Sequence, residues 1–225
     1  MTGTLVNASA VLIGATAGCL LRQGLPQRCR ETLMAGLGLA VGVIGLQMAL
    51  KGDNALIVII SLVAGGLIGE ALDIDGWLKR LGDQLTAKVG NQFGDIGKGF
   101  VTASLVYCVG AMAVVGAIQE GLTGEAGTLY AKAMLDGVSA IIFAAGMGIG
   151  VAFSAVSLLL YQGSITLLAG VASQWITEPM LTAMTATGGV MILGIGLLVL
   201  EIKEIRVANL LPGLLIAAVL AKYWP

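Results

Sequence analysis

Residues 133–174, AMLDGVSAIIFAAGMGIGVAFSAVSLLLYQGSITLLAGVASQ, carry a single charge, Asp136. As one helix this run would extend roughly 63 Å at about 1.5 Å per residue, about twice the ~30 Å of a bilayer hydrocarbon core. Such a run belongs in a membrane and must cross it twice. The turn falls near Gly146, Met147, Gly148, Ile149 and Gly150, and the second leg carries Tyr161, Gln162, Gly163 and Ser164, a polar and flexible break inside an apolar span. These features point to an integral membrane transporter or channel.

Composition extends the reading to the whole chain. Of 225 residues, 57% are apolar and 11% charged, and several further runs reach spanning length. The expected fold is all-α, a polytopic transmembrane helical bundle forming a single integral membrane domain over residues 1–225. The formal net charge is -1 and the basic residues are spread over loops rather than gathered in a stripe, so no nucleic-acid partner is expected. The chain has no histidine, which removes His-ligated metal sites and Ser-His or Cys-His nucleophiles. Neither paired acids nor a GxxxxGK[ST] phosphate loop is present, and we expect no enzyme activity, cofactor or metal. Cys19, Cys29 and Cys108 form no CxxC pair and read as small packed residues. The N-terminal stretch lacks a basic n-region and reads as a retained first span.

Eight candidate spans follow in order: 4–21, 33–50, 55–72, 100–118, 134–150, 151–171, 181–200 and 207–223, the last with Pro212 inside it. Between the third and fourth, Ile74, Trp77, Leu78, Leu81, Leu85 and Val89 recur at helical spacing among charges. That pattern predicts an amphipathic surface helix over 74–89, with Asp75 and Lys79 at i,i+4, followed by a linker over 91–98. With the N-terminus outside, Arg22, Arg28, Arg30, Lys79, Arg80, Lys88, Lys98, Lys203 and Arg206 fall inside, leaving Lys51, Lys132 and Lys222 outside. This bias favours eight spans with both termini outside; seven spans with one re-entrant segment is the alternative.

A weak internal repeat is also present. Val6 to Val11, VNASAV, and Val151 to Val156, VAFSAV, share four of six residues. The match would relate spans one to three with spans six to eight, in opposite directions. An inverted repeat of that kind gives a transporter two nearly equivalent arrangements, with a site near the midplane at the repeat interface.

Few residues inside these spans can carry chemistry. Gln162 can hydrogen-bond a solute or replace water around an ion, and Gly163 would let the helix open so that Ser164 and backbone groups join it. The alternative for Gln162 is interhelical glue. Asp136 falls at the outer start of span five, and with Glu120 and Gln119 could form an acidic mouth that concentrates cations. Asn7 and Asn209 lie within spans one and eight. Pro212, followed by Gly213, would free carbonyls at Ala208 and Asn209. The GxxxG pairs Gly14/Gly18, Gly38/Gly42, Gly65/Gly69 and Gly146/Gly150 are packing faces, one of which could serve a homo-oligomer.

The segments FVTASLVYCVGAMAVVGAIQEGLTGE, LDGVSAIIFAAGMGIGVAFSA, YQGSITLLAG and VANLLPGLL resemble the YqgA/YdfK family of bacterial inner-membrane proteins of unknown function, over essentially the whole chain. The resemblance implies a bacterial plasma-membrane protein and supplies no substrate or catalytic residue. The expected function is transport of a small polar solute or a monovalent cation. A channel, or a scaffold without transport activity, is the competing expectation, and an intramembrane enzyme is the weakest. Amides outnumber charges at membrane depth, which disfavours a divalent metal as substrate.

Overall fold

The computed structural model describes residues 1–24, 26–77, 80, 96–108 and 111–224. The longer elements among them are α1 (Thr2–Gly24), α2 (Gln27–Ala49), α3 (Ala55–Ala71), α4 (Ile96–Cys108), α5 (Ala111–Thr123), α6 (Gly127–Met147), α7 (Gly150–Leu167), α8 (Ala169–Trp175), α9 (Glu178–Val199), a 3-10 turn at Val207–Leu210, and α10 (Pro212–Tyr223). No strand occurs among the described residues, and the protein is an all-α polytopic helical protein. Of the predicted surface helix at 74–89, residues 74–77 and 80 are helical and the others lie outside the described residues, as do residues 91–95 of the linker.

The eight segments read from the sequence map in order onto these helices. Among the described residues, five helices (α1, α2, α6, α7 and α9) are long and apolar enough to cross a bilayer; α4 and α5, bent by 60°, add a sixth if they form one span. The apolar helix α3 has 17 residues, about 26 Å at the usual rise, slightly under the ~30 Å core.

Side chains are distributed as lipid requires. Ile13, Leu67, Met134, Leu160 and Leu215 are each at least 69% exposed, while Ala15, Ala140, Ala144, Ala186 and Ala217 are fully buried. Lipid tails are as apolar as leucine, so large aliphatic groups gain nothing by turning inward, whereas small residues let helix backbones approach.

The chain divides into two compact units, Met1–Leu33 with Arg80–Trp175 and Met34–Lys79 with Ile176–Pro225. In the first, α1 and α6 run side by side in the same direction. Gly3 meets Leu129, Gly14 meets Gly137, Gly18 meets Ile141, and Arg22 Nη1 donates to the Gly146 carbonyl at 3.1 Å. A Cβ at Gly14 or Gly18 would run into the carbonyl oxygens of Gly137 and Ile141, so the two backbones touch. The α6–α7 turn uses Gly148 at φ 91°, a left-handed conformation that favours glycine.

From that turn α7 runs back past α1, placing Gln162 opposite Asn7 and Thr166 opposite Thr4. At one end of α7, Ile96 packs on Gly150, and further along Ser104 Oγ lies 3.1 Å from Ser157 Oγ. At the other end Gly121 packs on Thr166. The bent pair α4–α5 therefore travels the whole length of α7 instead of returning to the end where it began.

In the second unit α2 and α9 are antiparallel, with Gly38 near Gly196, Gly45 near Gly189 and Gly52 near Ala186. Helix α3 is antiparallel to the final segment: Ile57 is buried with Ala217 and Ala221, Gly65 faces Gly213, and Gly69 faces Asn209. The pairs Gly14/Gly18, Gly38/Gly42 and Gly65/Gly69 thus pack within the chain.

Three sequence expectations are corrected here. Helix α6 begins at Gly127 rather than near Met134, so Lys132 lies inside a helix and not in an outer loop. Helix α7 passes unbroken through Gly163: Ser164 Oγ donates to the Tyr161 carbonyl at 2.9 Å, Leu168 N donates to the Ser164 carbonyl, and the interruption comes at Leu168. Gly163 is buried among helices with no water to take up a freed backbone group, which favours keeping the helical hydrogen bonds. Pro212 stands at the expected helix break but does not free the Ala208 carbonyl, which accepts from Leu211 N at 3.2 Å. It opens α10 after the 3-10 turn, in the first turn where its missing N–H costs nothing.

Candidate functional site

Helix α6 carries two opposed faces. Met134, Leu135 and Val138 are exposed, while Lys132 and Asp136 point inward. At i,i+4 these two meet: Lys132 Nζ lies 3.0 Å from Asp136 Oδ1 and 2.7 Å from Oδ2, with each side chain 9% exposed. Asp136 stands next to the midpoint of the 21-residue helix, far from the helix end assigned to it by sequence.

Two other helices complete the cluster. From α1, Asn7 Nδ2 donates to Asp136 Oδ2 at 3.0 Å and to Gln162 Oε1 of α7 at 3.3 Å. Asn7 and Gln162 are fully buried, yet among the described residues Asn7 Oδ1 and Gln162 Nε2 have no hydrogen-bond partner. One is an acceptor and the other a donor. From α4, the fully buried Tyr107 stacks on Phe143 with ring centroids 6.0 Å apart, and among the described residues its hydroxyl also has no partner of ordinary geometry.

A second polar group continues the same helix faces toward the start of α1. Glu120, in the last turn of α5 and 4% exposed, accepts from Gly3 N at 2.6 Å, Thr2 Oγ1 at 3.1 Å and Thr4 Oγ1 at 3.4 Å. Its carboxylate satisfies an unpaired first-turn N–H of α1 at the positive end of the helix dipole. Thr4 Oγ1 in turn lies 3.4 Å from Thr166 Oγ1, one turn beyond Gln162 on α7.

The predicted site residues therefore separate. Asn7, Asp136 and Gln162 are brought together, and Glu120 lies on the adjoining ladder. The expected acidic mouth is not formed, because Glu120 is enclosed by the first turn of α1 and Asp136 is paired with Lys132. Gln119 stands apart, accepting from Thr128 Oγ1 at 2.9 Å and donating to Glu125 at 3.3 Å. Ser164 is exposed on the outer side of α7.

Asn209, Pro212 and Gly213 belong to the second unit. There Asn209 Nδ2 donates to Glu70 Oε2 at 2.7 Å, its Oδ1 accepts from Asp75 N at 2.7 Å, and Arg206 pairs with Glu70. These bonds tie the 3-10 turn to the end of α3. Among the described residues, no group of three or more His, Cys, Asp or Glu side chains could hold a metal ion.

Sequence reasoning missed Lys132, Thr4, Tyr107 and Thr166 as members of the cluster. For Lys132 a signal existed, since a carboxylate four residues away can neutralise it within one helix turn.

A family model described as "Protein of unknown function (DUF554)" matches residues 2–222. The chain is 30% identical to "Uncharacterized membrane protein YdfK" of Bacillus subtilis (strain 168), across 97% of this chain and 95% of that protein. It is 33% identical to "Uncharacterized protein YqgA" of Escherichia coli (strain K12), across 99% of this chain and 97% of that protein. No solved structure matches it.

Proposed function

The chain belongs to the family described as "Protein of unknown function (DUF554)", and we propose that this membrane protein carries a small polar solute or a monovalent cation across the bilayer. The observation that carries the reading is the pair of open polar atoms, Asn7 Oδ1 and Gln162 Nε2, on fully buried side chains. Leaving a buried donor or acceptor unmade costs about 1–3 kcal/mol, and there is no water in lipid to relieve it. The two amides share one hydrogen bond, Asn7 Nδ2 to Gln162 Oε1 at 3.3 Å, whereas amides serving only as interhelical glue would satisfy their remaining atoms as well. An open acceptor and an open donor beside an ion pair instead suit a site that a ligand completes.

The arrangement around the cluster supports transport over a static role. The α4–α5 segment, bent by 60°, passes beside it, and discontinuous helices are a recurrent way of exposing backbone groups to a substrate. The repeat read from the sequence pairs α1 with α7, α2 with α9, and the α3 segment with the last one. All three pairs run antiparallel within a unit, the relation that inverted repeats require.

Eight crossings suit the geometry of the first unit. Helix α1 ends near Gly146, and α4 begins near Gly150, at the same end of the unit. An even number of crossings must separate them, which α2 and α3 supply. With Lys132 buried inside α6, Lys51 and Lys222, the latter in the last turn of α10, remain as the outer cations against nine on the inner side, a bias that favours outward termini. Similarity to proteins of two bacteria supports the bacterial plasma membrane as the location.

A thermal-shift screen of the detergent-purified protein tests the reading, using alkali and divalent cations, amino acids and small carboxylates. A ligand should raise the transition of the wild type and not that of Gln162→Ala. If nothing raises either transition and the variant is merely less stable, Gln162 is glue and the scaffold reading takes its place.

A further inference from the structure

We propose that the solute completing this site is uncharged and offers a hydrogen-bond donor and an acceptor together, the chemistry of a small carboxamide or polyol. This rests on the transport reading and names its substrate class.

The charges of the site cancel within it. Lys132 Nζ lies 3.0 Å from Asp136 Oδ1 and 2.7 Å from Oδ2, and Asn7 Nδ2 donates to Oδ2 at 3.0 Å. Both carboxylate oxygens are therefore engaged, and the pair is neutral as a unit. An ion entering beside it would add an unbalanced charge in a low-dielectric interior, which is strongly disfavoured.

The carboxylate also fixes which amide atoms stay open. An ionised carboxylate only accepts, so Asn7 must present its NH2 to Asp136 and turn Oδ1 away. The same Nδ2 lies 3.3 Å from the Gln162 side chain, and because it is a donor the atom facing it must be Oε1, which leaves Nε2 open. Reversing Asn7 would set oxygen against oxygen, and reversing Gln162 would set donor against donor. The hydrogen bonds from Lys132 through Asp136 and Asn7 to Gln162 thus leave one acceptor, Asn7 Oδ1, and one donor, Gln162 Nε2, neither with a partner among the described residues.

That pair selects a neutral solute. Hard cations collect several oxygen ligands, whereas here one amide oxygen is open and the other open group is an N–H that repels a cation. A molecule with both functions satisfies both atoms: its N–H or O–H donates to Asn7 Oδ1, and its carbonyl or hydroxyl oxygen accepts from Gln162 Nε2. The neighbouring layers agree. One turn toward the α6–α7 turn, Val11, Ala140 and Leu158 are fully buried and apolar, a close-packed floor that limits the solute to a small one. One turn the other way stand Thr4 and Thr166, their hydroxyls 3.4 Å apart, uncharged groups that both donate and accept.

The test uses purified protein in proteoliposomes, mixed rapidly with urea, acetamide or glycerol while light scattering follows shrinkage and re-swelling. Sucrose sets the response to water alone, and sodium and potassium uptake is measured on the same vesicles. At least one uncharged solute should enter wild-type vesicles faster than protein-free ones, at a rate that saturates, with no added uptake of either cation. N,N-dimethylacetamide, which keeps the acceptor and lacks the donor, should not compete. Gln162→Leu should weaken the apparent affinity for the solute about tenfold, the effect of one hydrogen bond. If that variant does not fold, the wild-type selectivity and the competition decide.

Saturable uptake of sodium or potassium, with no uncharged solute entering faster, would overturn the assignment while the transport reading stands. Faster water flow in sucrose without faster solute entry would overturn it too, as would full competition by N,N-dimethylacetamide or an unchanged affinity in folded Gln162→Leu. Absence of any flux would remove the transport reading as well.

Discussion

Lys132 and Asp136 form an ion pair within α6, Nζ 2.7 Å from Oδ2 and both side chains 9% exposed, in a chain that presents large aliphatic groups on its outer surface. Because the pair spans one helical turn, it needs no second helix to hold its partners in register. Asn7 and Gln162, from two other helices, then build on a carboxylate already held in place.

Breaking the pair should cost more than removing it. Lys132→Met leaves a buried carboxylate without its counter-charge and should destabilise the protein by about 3–5 kcal/mol. Lys132→Met/Asp136→Leu should recover most of that loss. Melting curves of the single and double variants measure the coupling, and additive losses would mean that the two side chains do not act as a pair.

Much of this architecture is legible in the chain. Apolar runs mark each helical segment, the glycine cluster at 146–150 marks a turn that Gly148 makes with positive φ, and GxxxG spacing marks where α1 touches α6 and α3 touches the last segment. Counting loop charges misplaces Lys132 because it treats every lysine as solvated, which fails when a carboxylate follows four residues later. Glycine is flexible in water, which makes Gly163 look like a break, but buried inside the unit its backbone keeps its helical hydrogen bonds. The meeting of Asn7 with Gln162, 155 residues apart, follows only from how α1 and α7 pack, and no local pattern encodes it.

The placement of Lys132 has its own test. In a variant lacking Cys19, Cys29 and Cys108, Lys132→Cys/Asp136→Asn should resist a membrane-impermeant thiol reagent on intact cells. Lys51→Cys and Lys222→Cys should react. Labelling at position 132 as fast as at 51 would return that residue to a loop.

Close glycine contacts should be intolerant where backbone faces backbone. Gly14→Ala pushes a Cβ against the Gly137 carbonyl and should cost about 1–3 kcal/mol or more, since a backbone cannot move aside as a flexible side chain can. Gly36→Ala, on a face of α2 with nothing within 4 Å among the described residues, should be neutral or stabilising by up to about 1 kcal/mol. Equal tolerance at both positions would argue against the α1–α6 contact.

Glu120→Gln keeps the shape of the side chain but removes the charge at the start of α1. The loss should be about 0.3–2 kcal/mol, and amide exchange in residues 2–6 should rise while the rest of the first unit stays protected. Unchanged exchange there would mean that Glu120 does not hold that turn.

The most direct measurement is uptake of small uncharged solutes, with alkali cations alongside, into proteoliposomes containing the wild type or Gln162→Ala, each checked for an intact fold by its melting curve and elution volume. The expected result is saturable uptake by the wild type, and none by a variant that loses no more than about 2 kcal/mol of stability, the scale of one polar contact between membrane helices. Undiminished uptake by a folded Gln162→Ala would contradict a site at the Asn7, Asp136 and Gln162 cluster.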